Sequence, residues 1–205
     1  MKDLWNERYA QVDYVYGLEP NEYLKTVLGR IQQKGKVLFA AEGEGRNAVY
    51  AASLGFEVSA IDYSDAAKFK ALQWAQESGV TIDYQVGDLN EIELEEGVYD
   101  VLVLVYAHFP PHLRKSMLTK LQKSLTKYGL VILEGFSQNH LDVSKDNERR
   151  SGPQDIEMLF TKKMMEEDFS TFETIEISEE VIRLSEGELH QGKSAVIRYM
   201  GRKVQ

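Results

Sequence analysis

The sequence contains no cysteine. Disulfides, thiolate metal sites, iron–sulfur clusters and a cysteine nucleophile are thereby excluded. Proline is scarce, with 4 in 205 residues, and no Pro-, Gly- or Ser-rich stretch marks a linker. Positive charge is in deficit: 24 Lys and Arg face 33 Asp and Glu, a formal net charge of −9. Nucleic acid and anionic membrane surfaces both need clusters of Lys and Arg, so neither is expected as a partner. Long apolar runs are lacking too, the longest lying near residues 101–106, far short of a membrane span. The opening Met1-Lys2-Asp3-Leu4-Trp5 has no signal-peptide core. These absences lead to the expectation of a soluble, cytoplasmic protein.

What is present is enough apolar material, 43% of residues, to build the core of one ordinary domain spanning 1–205. Two periodicities alternate along it. Residues 36–41, 57–62, 81–86, 99–106 and 130–136 read as short, largely buried strands. Between them, residues 46–54 and 110–125 show helical spacing. So does the helix that Ser64 starts, with Ala67, Ala71, Trp74 and Ala75 on one face. Gly55 is placed to close the first of these helices. Ile156, Leu159, Phe160 and Met164 predict one further helix, and Tyr23, Leu24, Val27, Leu28 and Ile31 predict an N-terminal one begun by Pro20. Residues 172–184 and 194–200 read as two strands close together. The expected fold is α/β: a three-layer, Rossmann-like, mostly parallel sheet with an antiparallel hairpin at its C-terminal edge. In such sheets ligands sit beyond the carboxyl ends of the strands.

The turn after the first strand is Glu42-Gly43-Glu44-Gly45-Arg46-Asn47-Ala48. Gly43 and Gly45 permit a tight turn and close approach of a ligand. Asp62 ends the next strand, where an acid accepts hydrogen bonds from ribose hydroxyls. The string also fits the dinucleotide pattern G-x-G-x-x-A. Charge weighs against a dinucleotide. A pyrophosphate at ~4–5 Å from Glu42 or Glu44 meets a repulsion of about 3–4 kcal/mol per contact at an effective dielectric of ~20, before screening. The same carboxylates attract a cation, and S-adenosylmethionine (SAM) carries a sulfonium and an ammonium but no phosphate. The other reading leaves both glutamates in solvent, bracketing a turn. Gly87-Asp88-Leu89 ends the third strand. There the carboxylate can take an adenine amino group, and the following N–H a ring nitrogen.

These residues, together with Trp5, Arg8 and Tyr9 and the run Tyr14-Val15-Tyr16-Gly17, resemble a class I SAM-dependent methyltransferase. The resemblance is nearest to the tellurite-resistance-type, thiopurine-methyltransferase-like branch. It implies a seven-stranded sheet with an antiparallel last strand, and SAM as cofactor with S-adenosylhomocysteine as product. It assigns cofactor contacts to Tyr16, Glu42, Gly43, Gly45, Asn47, Asp62, Tyr63, Ser64, Asp88, Leu89 and Tyr106, with residues 1–20 as a cover. The chain departs from the commoner pattern in having Phe39 and Ala41 around the turn. It has Lys127-Tyr128-Gly129-Leu130 before the fifth strand. After the fourth it has Tyr106-Ala107-His108-Phe109-Pro110-Pro111 in place of an Asn-Pro-Pro-Tyr signature, which makes methylation of nucleic-acid bases unexpected.

Methyl transfer needs an aligned acceptor and, where the acceptor holds a proton, a base. His108, just past the fourth strand, is the candidate base, with a structural bond to the proline turn as the alternative. Tyr14, Arg46, Arg149, Arg183 and His190 are candidates for contact with a small-molecule acceptor, with solvated loop or edge-strand positions as their alternatives. No metal spacing is present. The expected assembly is a monomer or homodimer. An NAD(P)-dependent oxidoreductase on the same glycine turn and a non-catalytic SAM-binding protein are the competing readings.

Overall fold

The structure is a computed structural model and describes residues 2–11, 13–149 and 151–204. The chain begins with helices α1 (Lys2–Tyr9) and α2 (Glu22–Arg30). Strand β1 (Lys36–Ala40) and helix α3 (Arg46–Ser53) follow, then β2 (Glu57–Asp62), α4 (Asp65–Glu77) and β3 (Asp83–Val86). Next come β4 (Tyr99–Val105), α5 (Pro111–Ser124), β5 (Leu125–Phe136) and α6 (His140–Val143). A single 3-10 turn (Ile156–Met158) leads to α7 (Lys162–Asp168), and β6 (Phe172–Glu186) and β7 (His190–Lys203) complete the fold.

The strands form one seven-stranded sheet in the order β3-β2-β1-β4-β5-β7-β6. Pairing is parallel from β3 to β5 and antiparallel where β7 meets β5 and β6. This is the expected Rossmann-like sheet with its C-terminal hairpin. Alternation along each central strand feeds two apolar layers. Leu38, Leu102, Leu104 and Leu133 face α5 and α7 through Met117, Leu121, Met165 and Phe169. Val37, Phe39, Val101 and Ile132 face α2, α3 and α4 through Leu24, Leu28, Ala48, Ala51 and Ala71. Chain order reverses between β1 and β4, so their carboxyl ends open the crevice in which ligands bind in such sheets.

Several local expectations hold. Ser64 caps α4, its hydroxyl accepting from Ala67 N at 3.1 Å, and Gly55 is left-handed just after α3, with φ 92°. The helix predicted through Ile156, Leu159, Phe160 and Met164 does not form as one piece. Asp155 caps the 3-10 turn and Thr161 caps α7. Between them Phe160 is extended, its N–H donating to Phe136 O at 2.9 Å beside a parallel bridge to Ser137. Two caps this close restart the chain and divide the apolar stripe. Asn21, not Pro20, caps α2. Helix α1 was not foreseen, because Trp5 and Tyr9 alone make too short a stripe to show a period.

Candidate active site

The turn after β1 needs left-handed backbone: φ is 68° at Gly43 and 91° at Gly45. A Cβ on Gly43 would lie 2.7 Å from the Tyr9 hydroxyl, and one on Gly45 2.6 Å from the Ala71 Cβ, so both positions require glycine for closeness as well as for φ. Glu42 bends back over the start of α3, where Oε1 accepts from Asn47 N at 3.0 Å and Ala48 N at 2.7 Å. It thereby fills the helix N-terminus on which a pyrophosphate would sit. Burial pushes its carboxyl up to about 8, against the pull of those two amides and Arg46. Asp62 binds the same turn, Oδ2 accepting from Gly43 N and Oδ1 from Ser64 N, each at 3.0 Å. Burial raises it to about 6, opposed by those amide bonds.

Glu44 neither attracts a ligand cation nor points to solvent. It is buried and paired with Lys70 Nζ at 2.7 Å, and its other oxygen accepts from Val15 N at 2.8 Å. The second glutamate of the turn thus anchors the N-terminal segment over the site. That segment is further tied down by Asn6, whose Oδ1 accepts from Ser64 Oγ at 2.7 Å, and by the Tyr9 ring edge-on to Tyr16 at 6.3 Å. Asn47 Oδ1 accepts from Asn21 N at 2.9 Å, so its side chain holds the entry to α2.

At the end of β3, Asp88 Oδ1 accepts from the Tyr63 hydroxyl at 2.9 Å and Asn90 N at 2.7 Å. Burial, then Asp88, pushes the Tyr63 hydroxyl up to about 12. Asp88 Oδ2 and Leu89 N have no hydrogen-bond partner among the described residues, while the Leu89 side chain is core. Each Asp62 oxygen accepts one bond and has a lone pair to spare. The vicinal acceptors of Asp62 and the acceptor–donor pair at Asp88 and Leu89 therefore fit an adenosine.

At the ends of β4 and β5 the sequence reading needs correction. His108 has neither nitrogen free: Nδ1 is 2.8 Å from Met158 O, and Nε2 accepts from Phe136 N at 3.1 Å. Burial lowers its pKa to about 4. It fastens the segment after β5 and has no lone pair for a substrate proton. Tyr106, left-handed at φ 53°, donates from its hydroxyl to Glu134 Oε1 at 3.1 Å. Glu134 also accepts from Asn21 Nδ2 at 2.6 Å and Arg198 Nε at 2.7 Å.

Arg46 crosses to the C-terminal hairpin. Its Nη2 is 2.9 Å from Glu186 Oε2, so it pairs with neither Glu44 nor solvent. His190 Nδ1 is 3.1 Å from the same oxygen, and its ring lies 4.4 Å from both Tyr16 and Tyr106. Burial alone would raise Glu186; the His190 bond and the Arg46 charge outweigh it and hold the carboxyl at about 2. Burial lowers the His190 pKa, against the opposing pull of Glu186. His190 Nε2 has no hydrogen-bond partner among the described residues. A cavity of about 400 Å³ adjoins this cluster, walled by Tyr16, Asn21, Glu134, Arg183, Glu186 and Arg198 among others.

Of the other acceptor candidates, Tyr14 lies on α4, its hydroxyl donating to Lys70 O at 3.1 Å. Arg149 forms an exposed pair with Glu188 at 2.6 Å. Neither reaches the cavity. Arg183 lines it. Glu134, Glu186 and Lys70 were not singled out from the sequence; an acid near the end of β5, like those ending β2 and β3, was the available signal for Glu134. Among the described residues no group of three or more His, Asp or Glu is placed to hold a metal ion, and no helix is long and apolar enough to cross a membrane.

Residues 37–129 match the model of a methyltransferase domain. No curated protein matches the chain in sequence. Among solved structures, one from work on the conversion of a disulfide bond into a thioacetal group during echinomycin biosynthesis shares the fold. Its TM-score is 0.79 at 16% identity, over 99% of this chain and 92% of that one. TehB from Haemophilus influenzae gives 0.71 at 17% identity, over 98% of this chain and 66% of that one. A SAM-dependent methyltransferase from Methanosarcina mazei gives 0.71 at 16% identity, over 91% and 99%. At such identities the structures speak for the fold, a Rossmann-like sheet, and the domain match over residues 37–129 speaks for the activity, SAM-dependent methyl transfer with SAM as the cofactor.

Proposed function

We propose that the protein methylates a small-molecule acceptor held between the N-terminal segment and the C-terminal hairpin, in the manner of the tellurite-resistance-type branch it resembles. The observation that carries this reading is the cavity of about 400 Å³ beside Tyr16 and Glu186. Its volume suits a small molecule. When bound, SAM supplies a methyl carbon that its sulfonium has already activated for in-line displacement. Asp62, Asp88 and Leu89 hold the adenosine, and Glu42 lies at the amino acid end.

In this reading His190, not His108, is the acceptor's base. Glu186 takes the Nδ1 proton in a hydrogen bond, which fixes the tautomer and leaves Nε2 as the free lone pair. Tyr16 and Tyr106 enclose the imidazole and exclude water. Turnover of radiolabelled SAM over thiols, thiopurine-like heterocycles, carboxylates and oxyanions of tellurium and selenium tests the proposal. His190→Gln should lower turnover by about 10²–10⁴-fold, the usual worth of a positioned base, with SAM affinity unchanged. Binding of SAM without turnover on any such acceptor would favour a SAM-binding protein without catalysis.

A further inference from the structure

A single side-chain amide joins the two acids behind the cavity. Asn21, buried at the start of α2, has a partner for each of its polar atoms. Its backbone N–H donates to Asn47 Oδ1 at 2.9 Å, and its carbonyl accepts from Lys25 N at 2.8 Å. Its Oδ1 caps the helix, accepting from Leu24 N at 3.0 Å. Its Nδ2 donates to Glu134 Oε1 at 2.6 Å and to Glu186 Oε1 at 3.4 Å. Each of these acids has a cation on its other oxygen, Arg198 at 2.7 Å and Arg46 at 2.9 Å. Each also holds a ring. The Tyr106 hydroxyl donates to Glu134 at 3.1 Å, and His190 Nδ1 is 3.1 Å from Glu186. The two rings lie 4.4 Å apart.

The cap alone does not call for asparagine, since Ser and Asp cap a helix about as well. Neither of them carries two N–H donors to set between two acids. The residue type at this position is therefore dictated by Glu134 and Glu186 and not by the helix. Resting on the reading of the cavity as the acceptor site and of His190 as its base, we propose that Asn21 is a positioning residue of that site. Its carboxamide holds Glu134 and Glu186 at one separation, and through them sets the Tyr106 hydroxyl and the His190 imidazole against each other. The other charged and titratable groups that face His190 are Arg46 from α3, Tyr16 from the N-terminal segment, and His108 and His140 from the segments after β4 and β5. None of these bonds Asn21, so the amide reaches His190 through the acids alone.

Nitrogen NMR of the imidazoles in the full chain, with the His190 signals identified by their absence from His190→Gln, tests this without an acceptor. The wild type should show His190 with Nδ1 protonated and Nε2 bare. Asn21→Ser keeps a capping oxygen and removes the bridge, so its signals should move toward a mixture of the two tautomers. Asn21→Asp keeps cap and shape but sets a third carboxylate against the pair, so His190 should take up its proton at a higher pH than in the wild type. With whichever of the thiols, heterocycles, carboxylates or oxyanions turns over, Asn21→Ser should lower kcat by about 10–100-fold, the cost of a small misplacement of reacting groups, and leave the KM for SAM within about twofold by the same reasoning. Wild-type tautomer and titration of His190 in both variants would overturn the role of Asn21. Altered signals with wild-type kcat would uphold that role and overturn His190 as the base.

Discussion

At Glu42, two backbone amides and a ligand's ammonium would compete for one carboxyl that burial holds at about 8. The sign of the linkage follows. In the free protein near neutral pH this group is mostly protonated. A cation bound beside it favours the carboxylate and lowers its pKa, so binding releases a proton. SAM affinity should rise with pH up to about 8 and level off above. Near neutral pH, calorimetric enthalpies should differ between buffers of unlike ionisation enthalpy. Glu42→Gln, which keeps the amide acceptor and removes the titration, should abolish the difference. Buffer-independent enthalpies for the wild type would contradict this. The positions of Glu42 and Asp62 beside the crevice were legible because strand-end position alone places them. His108 was misassigned on the same logic. Its position past β4 is right, but the Phe136 and Met158 backbone groups that occupy it come from segments distant in sequence.

At the scale of elements, the site is closed by two pieces from opposite ends of the chain. The β6–β7 turn docks on the N-terminal segment: Glu188 N donates to Val15 O at 2.9 Å, and Gly187 stands against Val15 O and Gly17 N. A Cβ at Gly187 collides with that backbone, and its φ of 57° is itself costly for alanine, by about 1–2 kcal/mol. Gly187→Ala should therefore release the latch. Hydrogen exchange should quicken at Val15, Tyr16 and Glu188, SAM binding should weaken, and exchange in β1 and β4 should not change. Unaltered exchange at Val15 would mean that the hairpin does not hold the segment. The strands and most of the helices were legible because their periods follow from which face is buried. The latch was not: Gly17 and Gly187 give no period, and their meeting is a consequence of the sheet's strand order.

Over the whole molecule, the acidic surplus of the composition is divided between surface and site. Glu44, Asp62 and Glu134 are buried, and of these Glu44 and Glu134 have cations of their own. The inner acids therefore do not make one negative well. Paired ones fasten the cover and the hairpin, and unpaired ones face the crevice where the strand order reverses. Removing Lys70 would leave Glu44 buried and uncompensated, a loss of the order of 3–5 kcal/mol in stability, readable as a lowered melting temperature for Lys70→Met. The pairings that make this division could not be read from composition, since Lys70 and Glu186 lie far along the chain from Glu44 and Arg46. The central claim is that this crevice holds SAM and not a dinucleotide. Titration of the wild-type protein and of Asp62→Ala with S-adenosylhomocysteine and with NAD(P)H tests it most directly. Micromolar binding of S-adenosylhomocysteine, lost in Asp62→Ala, with no binding of NAD(P)H, is the predicted result; tight NAD(P)H binding, or S-adenosylhomocysteine binding indifferent to Asp62, would contradict it.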